Sequence, residues 1–243
     1  MRIDISVFKY KEKSMPCPQN KTKPFVFINA AMSADGKIAT IERKQTRISG
    51  KLDFDRMDEL RATSDAVMVG IGTMLSDNPS LTVKSQKRRE ERREKGMDEN
   101  PARIVVDSRA RTPVDADIFR KGEGKRIIAV SEIAPKEKVR KLSELAEIII
   151  AGRESVNLEK LLVELKAREI NRLMVEGGAT LNWSLVSRGL VDEIYTFIGN
   201  IIIGGGTAPT LVDGEGIAGQ ACGLSLISCE RLEEGVLIKW EVL

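Results

Sequence analysis

The sequence contains no histidine. That absence removes Ser-His-Asp and Cys-His nucleophilic catalysis, the HExxH metal site and the HxE…PCxxC zinc-deaminase pattern. Acid–base work must fall to Asp, Glu, Lys or Tyr, or pass to a cofactor. Cysteine is scarce too: Cys17, Cys222 and Cys229 form no CxxC pair and leave an odd count. A disulfide framework and a cysteine zinc site are both disfavoured, and no metal is expected. Aromatic residues are only 4% of the chain, little material for stacking nucleobases or for walling a broad apolar pocket. There is no run of eighteen apolar residues, so nothing reads as a membrane-spanning helix. Residues 1–24 lack the apolar core of a targeting signal, and a cytoplasmic location with no membrane contact is the expectation. An excess of one charge is also missing. Against 36 acidic residues stand 39 basic ones, a net +3, too small to argue for a nucleic-acid partner by itself.

What is present is a chain of 243 residues, 42% hydrophobic, which suits one globular domain with a sizeable core. Residues 1–24, with Pro16, Pro18 and Pro24, read as an N-terminal arm, and residues 25–243 as a single domain. Phe25–Ala31 reads as a buried strand, Asp35-Gly36 as a hairpin turn, and Lys37–Ile41 as the return strand. Leu52, Phe54, Met57 and Leu60 suit an amphipathic helix over 52–63. Short apolar strands follow at 66–70, 103–107, 126–130, 148–151 and 173–176. Between them lie helices, one opened by Pro135 and one capped by Asn157. After Val191 the helices cease, and strands are expected near 192–203, 224–230 and 235–242. Alternation of strand and helix argues for an α/β fold with a largely parallel central sheet flanked by helices; the tail argues for antiparallel C-terminal strands at one edge.

Five segments could carry chemistry. Gly70-Ile-Gly72-Thr73 follows a strand, and its glycines let backbone N–H groups approach a phosphate, although Leu75 stands where a full dinucleotide fingerprint has glycine. Glu176-Gly177-Gly178-Ala179-Thr180 offers a second anion seat and a carboxylate at a strand's carboxyl end, where α/β proteins bind ligands. Asp107-Ser108-Arg109-Ala110 ends another strand and equally suits a plain turn. Asn29 to Lys37 crowds Ser33, Asp35 and Lys37 around one turn, and Leu75 to Thr82 holds Asp77 beside a proline turn. The basic run Lys84–Lys95 is the rival signal, a nucleic-acid surface. Its interspersed glutamates and missing aromatics favour a solvated surface helix or flexible loop with no catalytic part.

Taken together, the strings NAAMSADGKIA (29–39), VGIGT (69–73), DNPSLT (77–82), RIVVDS (103–108), VEGGATLN (175–182), GLVDE (189–193) and APTLVDGEG (208–216) resemble the riboflavin-biosynthesis reductases over residues 25–243. The likeness is nearest to the family's stand-alone archaeal type. Bacterial members usually carry lysine where this chain has Asn29. The resemblance implies a dihydrofolate-reductase-like fold, NADPH as cofactor and a homodimer. It implies reduction of the ribosylamino group of 2,5-diamino-6-ribosylamino-4(3H)-pyrimidinone 5′-phosphate to a ribitylamino product. The alternative substrate is the deaminated 5-amino-6-(5-phosphoribosylamino)uracil. Family cofactor contacts fall on Thr73, Asp77, the loop 107–110 and the turn 177–180. Substrate contacts fall near Asn29, Ser33, Asp35, Ser49, Arg61, Leu81 and Glu176, and a family arginine for the substrate phosphate falls on Lys84. Asp35, Asp77 and Glu176 are candidates for holding the opened sugar or moving protons, with Asp35 and Glu176 favoured. Lys37 is a further substrate-binding candidate. Arg153, or failing that Ser131, is the expected partner of the cofactor's 2′-phosphate.

Overall fold

The computed structural model describes residues 22–43, 46–219 and 221–243; most of the expected arm lies outside them. The chain order is β1 (Phe25–Met32), α1 (Lys51–Ala62), β2 (Ala66–Gly70), α2 (Ile71–Asp77), α3 (Gln86–Glu94), β3 (Ala102–Val106), α4 (Asp117–Arg120), β4 (Arg126–Val130) and α5 (Lys136–Ser143). It continues through β5 (Glu147–Ile150), α6 (Leu158–Lys166), β6 (Arg172–Val175), α7 (Ala179–Val186), β7 (Glu193–Ile198), β8 (Leu224–Leu232) and β9 (Gly235–Val242). Short runs of Val, Ile, Leu and Met form β2 to β6 because helices cover both faces of these strands, so no side of them need be polar. Asn157 caps α6 by accepting from the Lys160 N–H at 2.8 Å.

All nine strands join one sheet in the order β5-β4-β3-β2-β6-β1-β7-β9-β8. Strands β1 to β7 run parallel, and only β9 and β8 are antiparallel additions. This is the expected α/β arrangement. One apolar layer, with Val26, Ile28, Ile104, Leu161 and Leu185, packs α6 and α7 on one face. The other, with Phe27, Val69, Val105, Ile128 and Met174, lies under α1, α2, α4 and α5. Strand β6 sits between β2 and β1 although it follows both in sequence, so the connections diverge there and leave a crevice at the strands' carboxyl ends.

Three local expectations are corrected. Lys37–Ile41 is no return strand: the Asp35-Gly36 turn forms, with Gly36 at φ +81° and Ser33 N–H donating to Lys37 O. The chain then leaves β1, and Lys37 bridges Thr210 instead. Helix α1 forms, but only half of its expected apolar face is turned inward: Met57 and Leu60 pack on the core. Leu52 and Phe54 are exposed, whereas Asp53, Asp58 and Arg61 are buried. The segment 84–100 is neither loose nor fully solvated. Within it α3 docks on α1: Arg92 is 4% exposed and donates to the carbonyls of Ala62, Ser64 and Asp98. Arg88 pairs with Asp55 and Asp58, and Arg89 and Arg93 with Glu99. Much of the positive charge of the run is thus paired within the molecule.

Candidate active site

The two glycine turns meet. Gly70 N–H donates to Gly177 O at 2.7 Å, bringing the start of α2 beside the start of α7. Neither helix has a side-chain cap at its N-cap glycine, Gly70 or Gly178, so the first N–H groups of both are left for another acceptor. The Gly177–Gly178 peptide is cis. A Cβ on Gly178 would lie 3.0 Å from Thr73 Oγ1, whereas one on Gly72 would meet nothing within 4 Å. Thr73 thus closes the join between the turns while Gly72 leaves it open. Ala179 is buried and Thr180 exposed on the first turn of α7.

Glu176, immediately before this join, faces α1. Arg61 donates Nε to Glu176 Oε1 and Nη2 to Oε2, both at 2.6 Å, and Nη1 to Thr82 O at 3.1 Å. Burial alone would lower the Arg61 pKa, but the Glu176 charge and hydrogen bonds outweigh it and hold the guanidinium more firmly protonated. Next to Glu176 lies Asn29, since β1 and β6 are registered at Ile28 and Val175. Asn29 is buried, and its Oδ1 accepts from Arg56 Nη2 at 2.8 Å. Arg56 is in turn held by Asp53 at 2.7 Å. Helix α1 therefore lays two guanidinium groups over two adjacent strand ends. The charged side chains it buries follow from that task, since they meet polar groups while Met57 and Leu60 beside them pack on the core.

Beside Arg61 stands Lys84, whose Nζ donates to Ser80 Oγ at 3.0 Å and Thr82 Oγ1 at 2.9 Å. Burial, then repulsion from Arg61 and Lys121, pushes its pKa down. An anion there would relieve that repulsion. Leu81, at φ +54°, is buried in the core, so only its backbone is left to face a ligand. Ser49 is buried just before α1.

Asp35 is committed to its own surroundings. It accepts from Ser33 Oγ at 2.6 Å, Ile203 N–H at 3.0 Å and Gly204 N–H at 2.7 Å. The Ser33 hydroxyl first, then these N–H groups, lower its pKa to about 2, so it is a carboxylate at neutral pH and no proton donor. Lys37 Nζ donates to Ala208 O at 3.1 Å. These two residues tie the turn after β1 to the long segment after β7. Tyr195, registered opposite Asn29, is pushed up to about 12, chiefly by burial, and stays protonated.

Along the crevice towards β5, Asp107 is fully buried and turned into its own loop, accepting from Thr112 N–H at 2.7 Å and Thr112 Oγ1 at 2.8 Å. Ser108 Oγ accepts from Val156 N–H. Arg109 is exposed, and Ala110 is buried at φ +51°. Ser131 donates its hydroxyl to Ser108 O at 2.7 Å and is 2% exposed, which leaves it unfit to receive a phosphate. Arg153 is exposed in a shallow hollow it lines with Gly152, Asn157 and Arg188. Asp77 is exposed and accepts from Ser76 Oγ. The sequence reading missed Asp53, Arg56, Asp58 and Lys121. The one signal for the first three was the spacing Asp53-x-x-Arg56 and Asp58-x-x-Arg61, charges stacked on one helical side where a solvated face was the simpler reading; Lys121 had none.

Residues 24–238 match the family model "RibD C-terminal domain". The chain is 50% identical over 216 residues to the 2,5-diamino-6-ribosylamino-4(3H)-pyrimidinone 5′-phosphate reductase of Archaeoglobus fulgidus, covering 89% of this chain and 97% of that protein. It is 45% identical over 222 residues to the protein of the same name from Methanothermobacter thermautotrophicus, covering 90% and 99%. Its fold matches a pyrimidine reductase-like protein from Corynebacterium diphtheriae with a TM-score of 0.80 at 18% identity, over 95% of this chain and 96% of that one.

Proposed function

This chain belongs to the RibD C-terminal domain family, and from that premise we propose how its crevice performs the reduction of 2,5-diamino-6-ribosylamino-4(3H)-pyrimidinone 5′-phosphate in riboflavin biosynthesis. The observation that carries the reading is the junction at Gly70 and Gly177. Two uncapped helix starts adjoin there, beside Glu176 and Asn29 at the ends of the neighbouring strands. Converging N–H groups suit a pyrophosphate, so the residues present fit a dinucleotide. NADPH, when bound, supplies the hydride; the protein supplies placement and electrostatics. Gly70, Gly72, Thr73 and Gly177 to Thr180 hold the pyrophosphate. The backbone of 108–110 and the hollow at Arg153 take the adenosine end. Arg153 binds the 2′-phosphate, with Arg188 beside it.

The substrate lies under α1. Lys84, held by Ser80 and Thr82, attracts the 5′-phosphate, although lysine gives it no bidentate fork. Asn29 and the Arg61–Glu176 pair would face the pyrimidine and the opened sugar. Asp35 acts by holding the 201–204 segment against the crevice rather than by moving a proton. The working form is a homodimer.

The test is direct: mix the protein with NADPH and each pyrimidine form, then follow NADPH loss and product mass. Oxidation with the diamino ribotide and a product heavier by two hydrogens are expected; inertness on both forms overturns the reading, and preference for the uracil form moves the substrate assignment. Arg153→Ala is expected to lower the NADPH over NADH preference at least tenfold. An unchanged ratio places the 2′-phosphate elsewhere.

A further inference from the structure

The reading above gives Asn29 to the substrate; it leaves open which end of the carboxamide the substrate meets. An asparagine side chain is ambiguous, an acceptor at Oδ1 and a donor at Nδ2. Here a neighbour settles the matter. Arg56 Nη2 lies 2.8 Å from the Asn29 oxygen, and a guanidinium can only donate. That contact is possible in one amide orientation alone. Arg56 has no freedom to leave, because Nε and Nη2 both donate to Asp53 Oδ1, at 2.9 and 2.7 Å, and Asp53 is 5% exposed. With Oδ1 consumed, Asn29 has its Nδ2 left; that group donates to no described residue and is not fully buried.

We infer that Arg56 is a positioning residue that makes Asn29 a pure hydrogen-bond donor at the crevice, so that the site reads an acceptor atom of the pyrimidine ribotide, a ring carbonyl oxygen, at the end of β1. The inference rests on the functional reading above. The chain Asp53–Arg56–Asn29 carries no net charge, so it presents a neutral donor rather than a cation. That suits a carbonyl oxygen better than a phosphate. The second clasp, Arg61 on Glu176, consumes both carboxylate oxygens in the same way. Both strand-end side chains are thus oriented from α1, and the helix acts as a template over the substrate floor.

Two substitutions separate this from a purely structural role. Asn29→Asp keeps, and strengthens, the acceptor for Arg56 while deleting the donor. A structural role predicts unchanged or better binding and a melting temperature at least as high. Donor presentation predicts a KM for the pyrimidine ribotide raised at least tenfold, with KM for NADPH within about twofold. Arg56→Met made together with Asp53→Asn removes the clasp without leaving an unpaired buried carboxylate. It is expected to raise the same KM at least tenfold, and Arg56→Lys, which still only donates, to recover most of it. Normal wild-type turnover with an unchanged pyrimidine KM in Asn29→Asp overturns this inference alone. A wild-type protein inert on both pyrimidine forms overturns the functional reading and this inference with it.

Discussion

Glu176 and Arg61 share two short hydrogen bonds with side chains only 12% and 9% exposed, so altering either orphans the other. Glu176→Gln is expected to lower stability by about 3–5 kcal/mol, because breaking a buried pair leaves an uncompensated charge. It is also expected to lower turnover on the pyrimidine substrate ten- to a thousandfold, about 1.4–4 kcal/mol. Adding Arg61→Met should return much of the stability but none of the turnover; urea unfolding and steady-state rates on the two variants check this. A double variant that recovers turnover would reduce the pair to scaffolding. Asp35 gives a pH signature. Its folded pKa, about 2, lies below the unfolded value, so the stability it contributes is present above pH ~4 and is lost as pH falls towards 2. Protection of the Ile203 and Gly204 amides, taken relative to intrinsic exchange at each pH, should therefore fall between about pH 4 and 2, and Asp35→Asn should show that loss of protection already at neutral pH. Exchange unchanged in the variant would remove Asp35 as the tie.

Helix α1 is the element on which the site depends, and its placement comes from afar. No side chain of its own caps it; instead Glu233, from the turn between β8 and β9, accepts from Leu52 N–H at 3.0 Å. The fit is close, since a Cβ on Gly50 would fall 2.1 Å from Glu233 Oε2. At the far end Asp58 accepts from the N–H groups of Lys84 and Ser85 and fixes the helix to α3. Glu233→Ala is expected to lower stability by about 1–2 kcal/mol, the range for a lost helix cap, and to raise the pyrimidine KM several-fold because Arg56 and Arg61 ride on the loosened helix. Thermal unfolding and kinetics decide it; a changed melting temperature with untouched KM would detach the cap from the site. This helix also marks where sequence reading fails. The strands β2 to β6 were legible because uninterrupted Val, Ile and Leu leave few alternatives, and α6 because Asn157 announces its start. The helix position of α1 was legible too, but its facing only in part. Met57 and Leu60 do pack on the core, whereas Leu52 and Phe54 stay exposed and the burial of Arg56, Asp58 and Arg61 depends on partners 26 to 115 residues away.

At the scale of the whole molecule, β8 forms a long outer edge. Leu224, Leu226 and Ile227 are exposed along it, with Leu243 close by, and Leu52 and Phe54 stand exposed near the Glu233 turn. A bare strand with apolar side chains invites pairing, and the proposed homodimer uses this edge. Leu226→Glu is expected to shift sedimentation from dimer to monomer at micromolar concentration; a dimer that survives it lies elsewhere. The glycine turns, Asn29 and Glu176 were legible as separate strings, but their assembly was not, because strand order is set by non-local pairing that no local pattern encodes. The same order governs how the protein is born. Of the described strands β1 leaves the ribosome first, yet both its neighbours, β6 and β7, lie beyond residue 171. A nascent chain halted before then holds β1 with no partner, an unfilled gap beside β2, and an α1 whose Arg61 has no Glu176 to meet. Synthesis thus completes the middle of the sheet after its β3–β5 flank, and the half-made chain exposes sheet edges to neighbours while still unable to grip a substrate.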